Sequence, residues 1–360
     1  MKACARAPVR VDPAGGGTDA PPYCIEHGGA VVNFAVERHV FALAQKLSPG
    51  SGVIIYSADL RAGATAGRVS DFAGQKDLAF LKAFVLRMVP EEDSLLLLTE
   101  SDVPPDSGLG GSGALGVAIV AAIDGVYGHS RPPSEIAALA NDVERSDLGY
   151  PGGNQDSYAA ALGDVNLLQY HRGGGLTPRR LQLSSQTRRI LEHRSLLIYT
   201  GGAHVSGSIH EDIKRAYLAG NPRTLSALRA LHSQAESMAE ALEAGSIPGY
   251  AAALNESCQQ LYNLRAACDS PDHRRYFQAL ADLIAAGKTC GAGGGGFLLV
   301  LARPGRRSEC IRRAEELGAL VWPVTIDTCG VNTWLEPPFD AAEIEHFHRA
   351  ASQYAVGIAG

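Results

Sequence analysis

The chain has 360 residues, of which 46% are hydrophobic and 19% charged, and its formal net charge is −6 at pH 7. This composition supports a large apolar core, and the length predicts two domains. The acidic balance without a basic block argues against a nucleic acid partner, and no apolar run is long enough to span a membrane.

Seven cysteines are scattered along the chain without a C-x-x-C pair. An odd number at irregular spacing is typical of reduced, buried thiols rather than of a disulfide framework or a zinc site. The N-terminal segment MKACARAPVR lacks the apolar core of a signal peptide. We therefore expect a cytoplasmic protein.

The first third of the chain is rich in strand patterns. Residues 4–12 alternate as a strand does, and residues 14–23 (AGGGTDAPPY) form a loop because three glycines and two prolines interrupt regular structure. The next predicted elements are strands at Ala30–Val36, His39–Gln45, Val53–Asp59 and Leu95–Glu100, and a helix at Leu78–Met88.

The central feature is the glycine-rich segment Pro104–Ala114, PPDSGLGGSGA, which follows a strand. Apolar residues at helical spacing come after it, so a helix is predicted to begin at about Gly113. A helix N-terminus presents unpaired backbone N–H groups to an anion, and glycines allow the anion to approach closely. An ordinary glycine-rich turn capped by Ser112 explains the same pattern, so both interpretations stay open at this point. No Gly-Lys-Ser/Thr follows, so the segment is not a Walker loop.

The second half mixes helices and strands. A helix at Ser134–Asp147, with Ser134 as its cap, precedes a glycine turn, a short helix and a strand. A polar and basic stretch, Thr177–Arg194, suggests a domain boundary, which we place between residues 185 and 186. Later strands are predicted at Leu196–Thr200, Phe297–Ala302, Val321–Val324 and Val331–Leu335, and helices at Ser206–Leu218, Pro222–Ala244, Gly249–Cys268, Phe277–Ala286, Cys310–Leu317 and Ala341–Tyr354. The predicted class is α+β with two lobes.

Three glycine-rich stations lie far apart in the sequence, at Gly15–Thr18, Gly108–Gly113 and Gly291–Gly296, with a fourth turn at Gly152-Gly153. One such loop is weak evidence of a binding site. Several together indicate that backbone segments converge on one ligand. The alternative is that the glycines only accommodate tight turns.

Five segments resemble motifs of the GHMP kinases, which include galactokinase, homoserine kinase and mevalonate kinase. PPDSGLGGSGA is similar to their P-x-x-x-G-L-G-S-S-A signature, and CGAGGGGF to their C-terminal glycine motif. VRVDPAGGGTDAPPY resembles the N-terminal motif of heptose 7-phosphate kinases and fucokinases. GGNQDSYAAALGDVN and YTGGAHVSG resemble segments of the heptose kinases.

The resemblance implies a two-lobed fold with ATP and a sugar in the cleft. Residues 1–185 would form a mixed-sheet N-terminal domain that binds ATP, and residues 186–360 a ferredoxin-like C-terminal domain. The reaction implied is phosphorylation of the anomeric hydroxyl of a sugar by ATP, with Mg²⁺ as the metal. The favoured substrate is D-glycero-D-manno-heptose 7-phosphate.

The resemblance also assigns roles to individual residues. Asp156 would be the catalytic base, with Arg10 offsetting nearby negative charge. From the residues alone, a helix-capping role is the preferred interpretation of Asp156. Ser112 and Glu144 would hold Mg²⁺, although Glu144 alone also reads as a solvated charge at a helix end. The predicted ATP-binding residues are Pro105, Ser107, Gly108, Leu109, Gly110, Gly111, Ser112 and Gly113. Sugar contacts are predicted from Asp19, Thr18, Gly16, Gly17 and Gly153, and the C-terminal motif contributes Gly293, Gly294 and Gly295, with Lys288 as a weaker candidate for phosphate contact.

The sequence departs from the family pattern at three positions. The paired serines read Gly111-Ser112, the following alanine is Gly113, and His204 stands where heptose kinases often have arginine. A fucokinase-like enzyme acting on a free sugar, a mevalonate-type kinase and an inactive sugar- or nucleotide-binding regulator therefore remain alternatives. Whether the chain forms a homodimer stays open.

Overall fold

The computed structural model describes residues 1–201, 206–264 and 270–355. Within these ranges the chain forms two β-sheets and the helices packed on them. The strands are β1 (Lys2–Ala14), β2 (Gly29–Lys46), β3 (Val53–Ser57), β4 (Ala62–Ala66), β5 (Leu95–Ser101), β6 (Val165–Tyr170), β7 (Leu176–Arg180), β8 (Ser195–Tyr199), β9 (Ile284–Thr289), β10 (Phe297–Ala302), β11 (Leu320–Pro323) and β12 (Asn332–Glu336).

The helices connect these strands and lie between them in sequence. They are α1 (Tyr23–His27), α2 (Ala79–Met88), α3 (Gly111–Tyr127), α4 (Pro133–Asp142), α5 (Gln155–Leu162), α6 (Ser185–Arg194), α7 (Ser206–Leu218), α8 (Pro222–Glu243), α9 (Ile247–Leu264), α10 (Pro271–Leu280), α11 (Arg307–Glu316) and α12 (Ala341–Ala355). A 3-10 turn covers Val69–Phe72, and a π-helical turn, Val143–Asp147, continues α4. None of the helices described has the length and apolar character needed to cross a membrane.

The first sheet is mixed and the second is antiparallel. The first has the order β12-β1-β2-β5-β3-β4, with β6 pairing β2 and β7 pairing β6, and its β3–β5 pair is parallel. The second sheet has the order β11-β8-β10-β9. That order, with helices between β8 and β9 and helix α11 between β10 and β11, is the βαββαβ arrangement of a ferredoxin-like lobe. The predicted α+β class is confirmed.

Helix α3 is the central helix of the core. Its side chains from Val117 to Ile123 are almost fully buried, so it is apolar on every face rather than along one stripe. A helix of that kind is enclosed by the protein on all sides. It packs against β1 and β2 on one side and against α4 and α5 on another, which fixes where its N-terminus points.

Two sequence predictions about elements were wrong, and a third was shifted by two residues. Helix α3 begins at Gly111 where about Gly113 was predicted, and α4 is preceded by Pro132 with no side-chain cap from Ser134. The helix predicted at Phe277–Ala286 ends at Leu280, and Ile284–Thr289 is strand β9, paired with β10. Pairing with a buried neighbouring strand overrides the helix propensity of its alanines.

The polar stretch Thr177–Arg194 is not a linker, because it contains β7 and α6. The end of the chain returns to the first sheet, where β12 pairs with β1 and α12 packs on β3 and β4. The division at residues 185 and 186 therefore stays a prediction. Five described cysteines are buried as expected, whereas Cys329 is exposed, and Cys268 lies outside the described residues.

Candidate active site

The glycine-rich loop before α3 is clamped from both sheets. The backbone N–H of Arg10 on β1 donates to the carbonyl of Leu109 at 2.9 Å, and that of Phe297 on β10 donates to Ser107 at 3.1 Å. Leu109 is fully buried, so this predicted ATP-binding residue anchors the loop rather than facing a ligand. Gly108 and Gly110 have φ near +75°, and α3 starts directly after them. The N–H groups of its first turn are the unpaired donors that an anion requires.

The C-terminal glycine motif packs directly on this loop. A Cβ atom on Gly296 would lie 2.3 Å from the carbonyl oxygen of Ser107, so these two backbones touch. The N–H of Gly291 donates to Asp12 Oδ1 on β1 at 2.9 Å. Gly293, Gly294 and Gly295 form the intervening turn. The second and third glycine stations are thus in contact, and Gly16 and Gly17 of the first station line a small cavity together with Gly291.

Arg10 and Asp156 form a buried ion pair beside the loop. Arg10 Nε donates to Asp156 Oδ1 at 2.8 Å, and Nη2 lies 2.7 Å from the same oxygen. The third nitrogen, Nη1, donates to the carbonyl of Gly108 at 2.5 Å. Burial alone would lower the pKa of Arg10, but the charges of Asp156 and Asp12 raise it above its ordinary value. The guanidinium therefore stays charged and fixes the carboxylate against the loop.

Helices α3 and α5 make their closest approach at Gly113. A Cβ there would lie 2.5 Å from Asp156 Cβ and 2.9 Å from the backbone nitrogen of Ser157. Any larger side chain would push the two helices apart. The glycine that departs from the family pattern thus lets Asp156 sit over the first turn of α3.

Ser112 and Glu144 also lie together. The Ser112 side chain acts to lower the pKa of the Glu144 carboxyl, which is 4% exposed and 3.5 Å from the Arg145 guanidinium. Burial raises the pKa of Glu144 despite the opposing charge of Arg145. Among the described residues no group of three or more His, Cys, Asp and Glu side chains could hold a metal ion. A carboxylate and a hydroxyl do fit Mg²⁺, which takes few protein oxygens and completes its shell with water and phosphate.

Asp19 lies across the cleft from Asp156. Its carboxylate accepts hydrogen bonds from the backbone N–H groups of Gly17, at 3.1 Å, and Gln155, at 3.3 Å. Burial and the nearby charge of Asp156 raise its pKa to about 6. A Cβ on Gly153 would lie 1.8 Å from Asp19 Oδ2, so only glycine fits there.

Thr18 does not line either cavity of the cleft. Its hydroxyl donates to the carbonyls of Gly15 and Ala30 and accepts from the Ala30 N–H, and the residue is fully buried. It holds the first glycine loop to β2. The predicted sugar contact of Thr18 is therefore replaced by a supporting position.

Lys288 is equally remote from solvent. Its ammonium lies 3.2 Å from Asp12 Oδ2 and donates to its own neighbour's carbonyl, Thr289, at 3.0 Å. Lys288 and Asp12 are each 2% exposed. The pair joins β9 of the second sheet to β1 of the first, so the predicted phosphate contact of Lys288 is taken up by a protein carboxylate.

Two contiguous cavities occupy the cleft. The smaller, about 40 Å³, lies between Arg10, Asp12, Asp19 and Asp156. The larger, about 560 Å³, opens outward and is lined by α1, α7 and the 149–154 loop. They share six lining residues, namely Gly17, Asp19, Arg145, Gly153, His210 and Ile213.

Sequence reasoning missed several cleft residues, among them Arg145 and His210. Arg145 uses its guanidinium to hold the 149–154 loop, donating to the carbonyls of Tyr150, Pro151 and Gly153 at 2.8–3.1 Å. His210 on α7 faces both cavities, and burial together with the charge of Arg145 lowers its pKa. The position of Arg145 directly after Glu144 in the sequence could have indicated its place in the cleft. Nothing in the sequence around His210 indicates that it lines the cleft.

The basic residue Arg38 does not reach the cleft. The guanidinium of Arg38 lies 4.7 Å from the ring centroid of Trp322, and the residue lines neither cavity. His204 lies outside the described residues.

Known proteins share parts of this sequence and this fold. Residues 79–164 match the GHMP kinases N terminal domain. The chain thus resembles the GHMP kinases over this segment. It is 29% identical over 334 residues to the D-glycero-alpha-D-manno-heptose 7-phosphate kinase of Campylobacter jejuni, covering 91% of this chain and 98% of that protein. These likenesses indicate a sugar phosphotransferase, and ATP is the phosphoryl donor that they support.

Two further proteins are similar to the chain, one in sequence and one in fold. An L-fucokinase/L-fucose-1-P guanylyltransferase of Bacteroides fragilis is 27% identical over 86% of this chain, which spans 35% of that longer protein. The crystal structure of a D-glycero-D-manno-heptose 1-phosphate kinase from Bacteroides thetaiotaomicron has a TM-score of 0.75 at 22% identity, covering 93% of this chain and all of that one. That structure establishes the shared fold.

Proposed function

We propose that this chain transfers the γ-phosphoryl group of ATP to the anomeric hydroxyl of D-glycero-D-manno-heptose 7-phosphate, giving the 1,7-bisphosphate. The observation that carries the proposal is the Arg10–Asp156 pair held against the glycine-rich loop at the start of α3. A carboxylate beside an anion-binding loop is what phosphoryl transfer to a hydroxyl requires.

The chain's own residues divide the reaction between them. Asp156 accepts the proton as the sugar oxygen attacks the γ-phosphorus, while the bond to the β–γ bridging oxygen breaks and ADP leaves. The first-turn N–H groups of α3 carry the phosphate charge. Ser112 and Glu144 would hold Mg²⁺, which neutralises charge on the phosphates.

The shape and charge of the larger cavity support a phosphorylated sugar. At about 560 Å³ it is large enough for a sugar phosphate, and Lys214 lines it but not the smaller cavity. A lysine in this position favours an anion away from the reacting hydroxyl. The relative from C. jejuni, named for the 7-phosphorylated heptose, supports the same substrate.

A free sugar is the second candidate because of the fucokinase relative. The test is ADP release with Mg·ATP against heptose 7-phosphates, L-fucose, D-galactose, D-mannose and mevalonate, with phosphorus NMR of the product. We expect turnover with the heptose 7-phosphate and an anomeric phosphate signal. Turnover only with a free sugar would replace the proposed substrate, and turnover only with mevalonate would overturn the sugar kinase.

A further inference from the structure

Gln155 is a buried polar residue of the cleft that the chemistry above does not use. It is the first residue of α5, is 6% exposed and lines the smaller cavity beside Asp156. Its backbone is fixed at both ends, since its N–H donates to Asp19 and its carbonyl accepts from Asn33. The side-chain position is therefore set by the rigid start of the helix.

The side-chain oxygen of Gln155 is buried without a hydrogen-bond partner among the residues the structure describes. Leaving a buried amide oxygen unpaired is costly, and native proteins rarely do so without a reason. The amide nitrogen lies on the Gly16 side, 3.4 Å from where a Cβ of that glycine would be. The amide thus reaches the space between the first glycine loop and Asp156.

The other polar groups around the smaller cavity explain why an amide is useful. Asp12, Asp19 and Asp156 are carboxylates, which accept hydrogen bonds when ionised, whereas Arg10 only donates. A sugar hydroxyl both donates and accepts. Of the described residues lining this cavity, Gln155 is the one with an amide side chain, which supplies both kinds of group.

We propose that Gln155 binds the sugar hydroxyl adjacent to the one that is phosphorylated, and so selects sugars that carry a hydroxyl there. The smaller cavity holds about 40 Å³, which admits only the reacting end of a sugar. The neighbouring hydroxyl, on C2 of an aldose that reacts at C1, is the next polar group to enter. This inference rests on the proposed sugar kinase activity.

A two-by-two comparison tests the proposal. Wild type and Gln155→Met are each assayed with D-glycero-D-manno-heptose 7-phosphate and its 2-deoxy analogue, measuring kcat and KM. We expect wild type to prefer the natural sugar by about tenfold or more in kcat/KM, because the 2-deoxy sugar leaves the amide unpaired. In Gln155→Met that ratio should fall close to one, with the KM for ATP within about twofold of wild type.

Two further readouts separate binding from folding. Gln155→Met should unfold in urea no more easily than wild type, since it removes an unpaired buried oxygen. Gln259→Met makes the same change on an exposed position of α9 and should leave the substrate ratio unaltered.

The outcomes are distinct. An unchanged preference for the 2-hydroxyl in folded, active Gln155→Met overturns the inference and leaves the proposed function standing. Wild type that uses only a free sugar replaces the substrate, and the comparison is then made with that sugar and its 2-deoxy form. Wild type without turnover on any sugar overturns both proposals.

Discussion

Arg10 and Asp156 are 146 residues apart in the chain, yet Nη2 of Arg10 lies 2.7 Å from Oδ1 of Asp156 in the cleft. The same guanidinium donates to the carbonyl of Gly108, so one side chain joins the proposed base to the glycine-rich loop before α3. Any change at Arg10 therefore alters two parts of the site at once.

Replacing Arg10 by lysine should lower kcat by about a hundredfold or more. A single ammonium cannot reproduce the planar fork that contacts Asp156 and Gly108 together, and small misplacements of reacting groups are costly. Steady-state ADP release measures the effect, and Arg6→Lys on the same strand is the control. An Arg10→Lys enzyme with wild-type turnover would show that the fork does not position the base.

Asp156→Asn should reduce turnover by about 10² to 10⁴-fold while the protein still binds ATP, because the amide can accept from Arg10 but cannot take a proton. Calorimetric titration with ATP and the ADP-release assay separate the two effects. Full turnover in the folded variant would remove Asp156 from the chemistry.

Glu144→Gln should raise the Mg²⁺ concentration needed for half-maximal rate. The change removes a buried carboxylate charge next to Arg145 but keeps the shape of the side chain. Mg²⁺ prefers charged oxygen ligands, so a neutral amide binds it less well. Glu135→Gln, on the exposed face of α4, should leave the Mg²⁺ dependence as in wild type. If both variants behave alike, Glu144 is not a metal ligand.

The sequence was sufficient for local features of the fold and the site. The spacing of the glycines and the apolar pattern after them predict that the glycine-rich loop leads into α3. The predicted start of that helix is within two residues of the observed one. Strand β10 and helix α7 have the predicted bounds. These features depend on residues close together in the chain.

Contacts between distant segments were not predictable from one sequence. Nothing near Lys288 indicates that it pairs with Asp12, 276 residues away. The helix pattern at Phe277–Ala286 runs into the first three residues of β9, because the pairing of β9 with β10 leaves no local mark in the sequence. The first-turn position of Gln155 likewise gave no sign that its amide lines the cleft. Such features are fixed by packing, which overrides local propensity.

Gly113 shows how packing changes the meaning of a residue. In a helix glycine costs up to about 1 kcal/mol relative to alanine, so Gly113→Ala would stabilise an isolated helix. Here the added methyl group would lie 2.5 Å from Asp156 Cβ, and overpacking costs about 1 to 3 kcal/mol. We expect Gly113→Ala to lower the free energy of unfolding in urea and to reduce kcat by displacing Asp156.

Gly111→Ala is the matched control for stability, in the same first turn of α3. Its Cβ would meet only Val103 at 3.7 Å, an ordinary contact. We expect Gly111→Ala to be at least as stable as wild type. Equal stability of the two alanine variants would show that α5 shifts without cost and that Gly113 is not required by the contact.

Asp19 makes the stability of the native protein depend on pH. Its pKa is about 6 in the folded chain, raised by burial and by Asp156, against an ordinary value of 3.8. Between these values the folded state binds the proton more tightly, so the stabilisation present below about pH 4 is lost as pH rises through 6. Two pKa units correspond to about 3 kcal/mol at most.

Asp19→Asn cannot titrate, so the stability difference between wild type and variant should fall from pH 4 to pH 7 and then stay constant. Urea unfolding at several pH values measures it, and a difference that does not vary with pH would mean that Asp19 is ionised throughout this range.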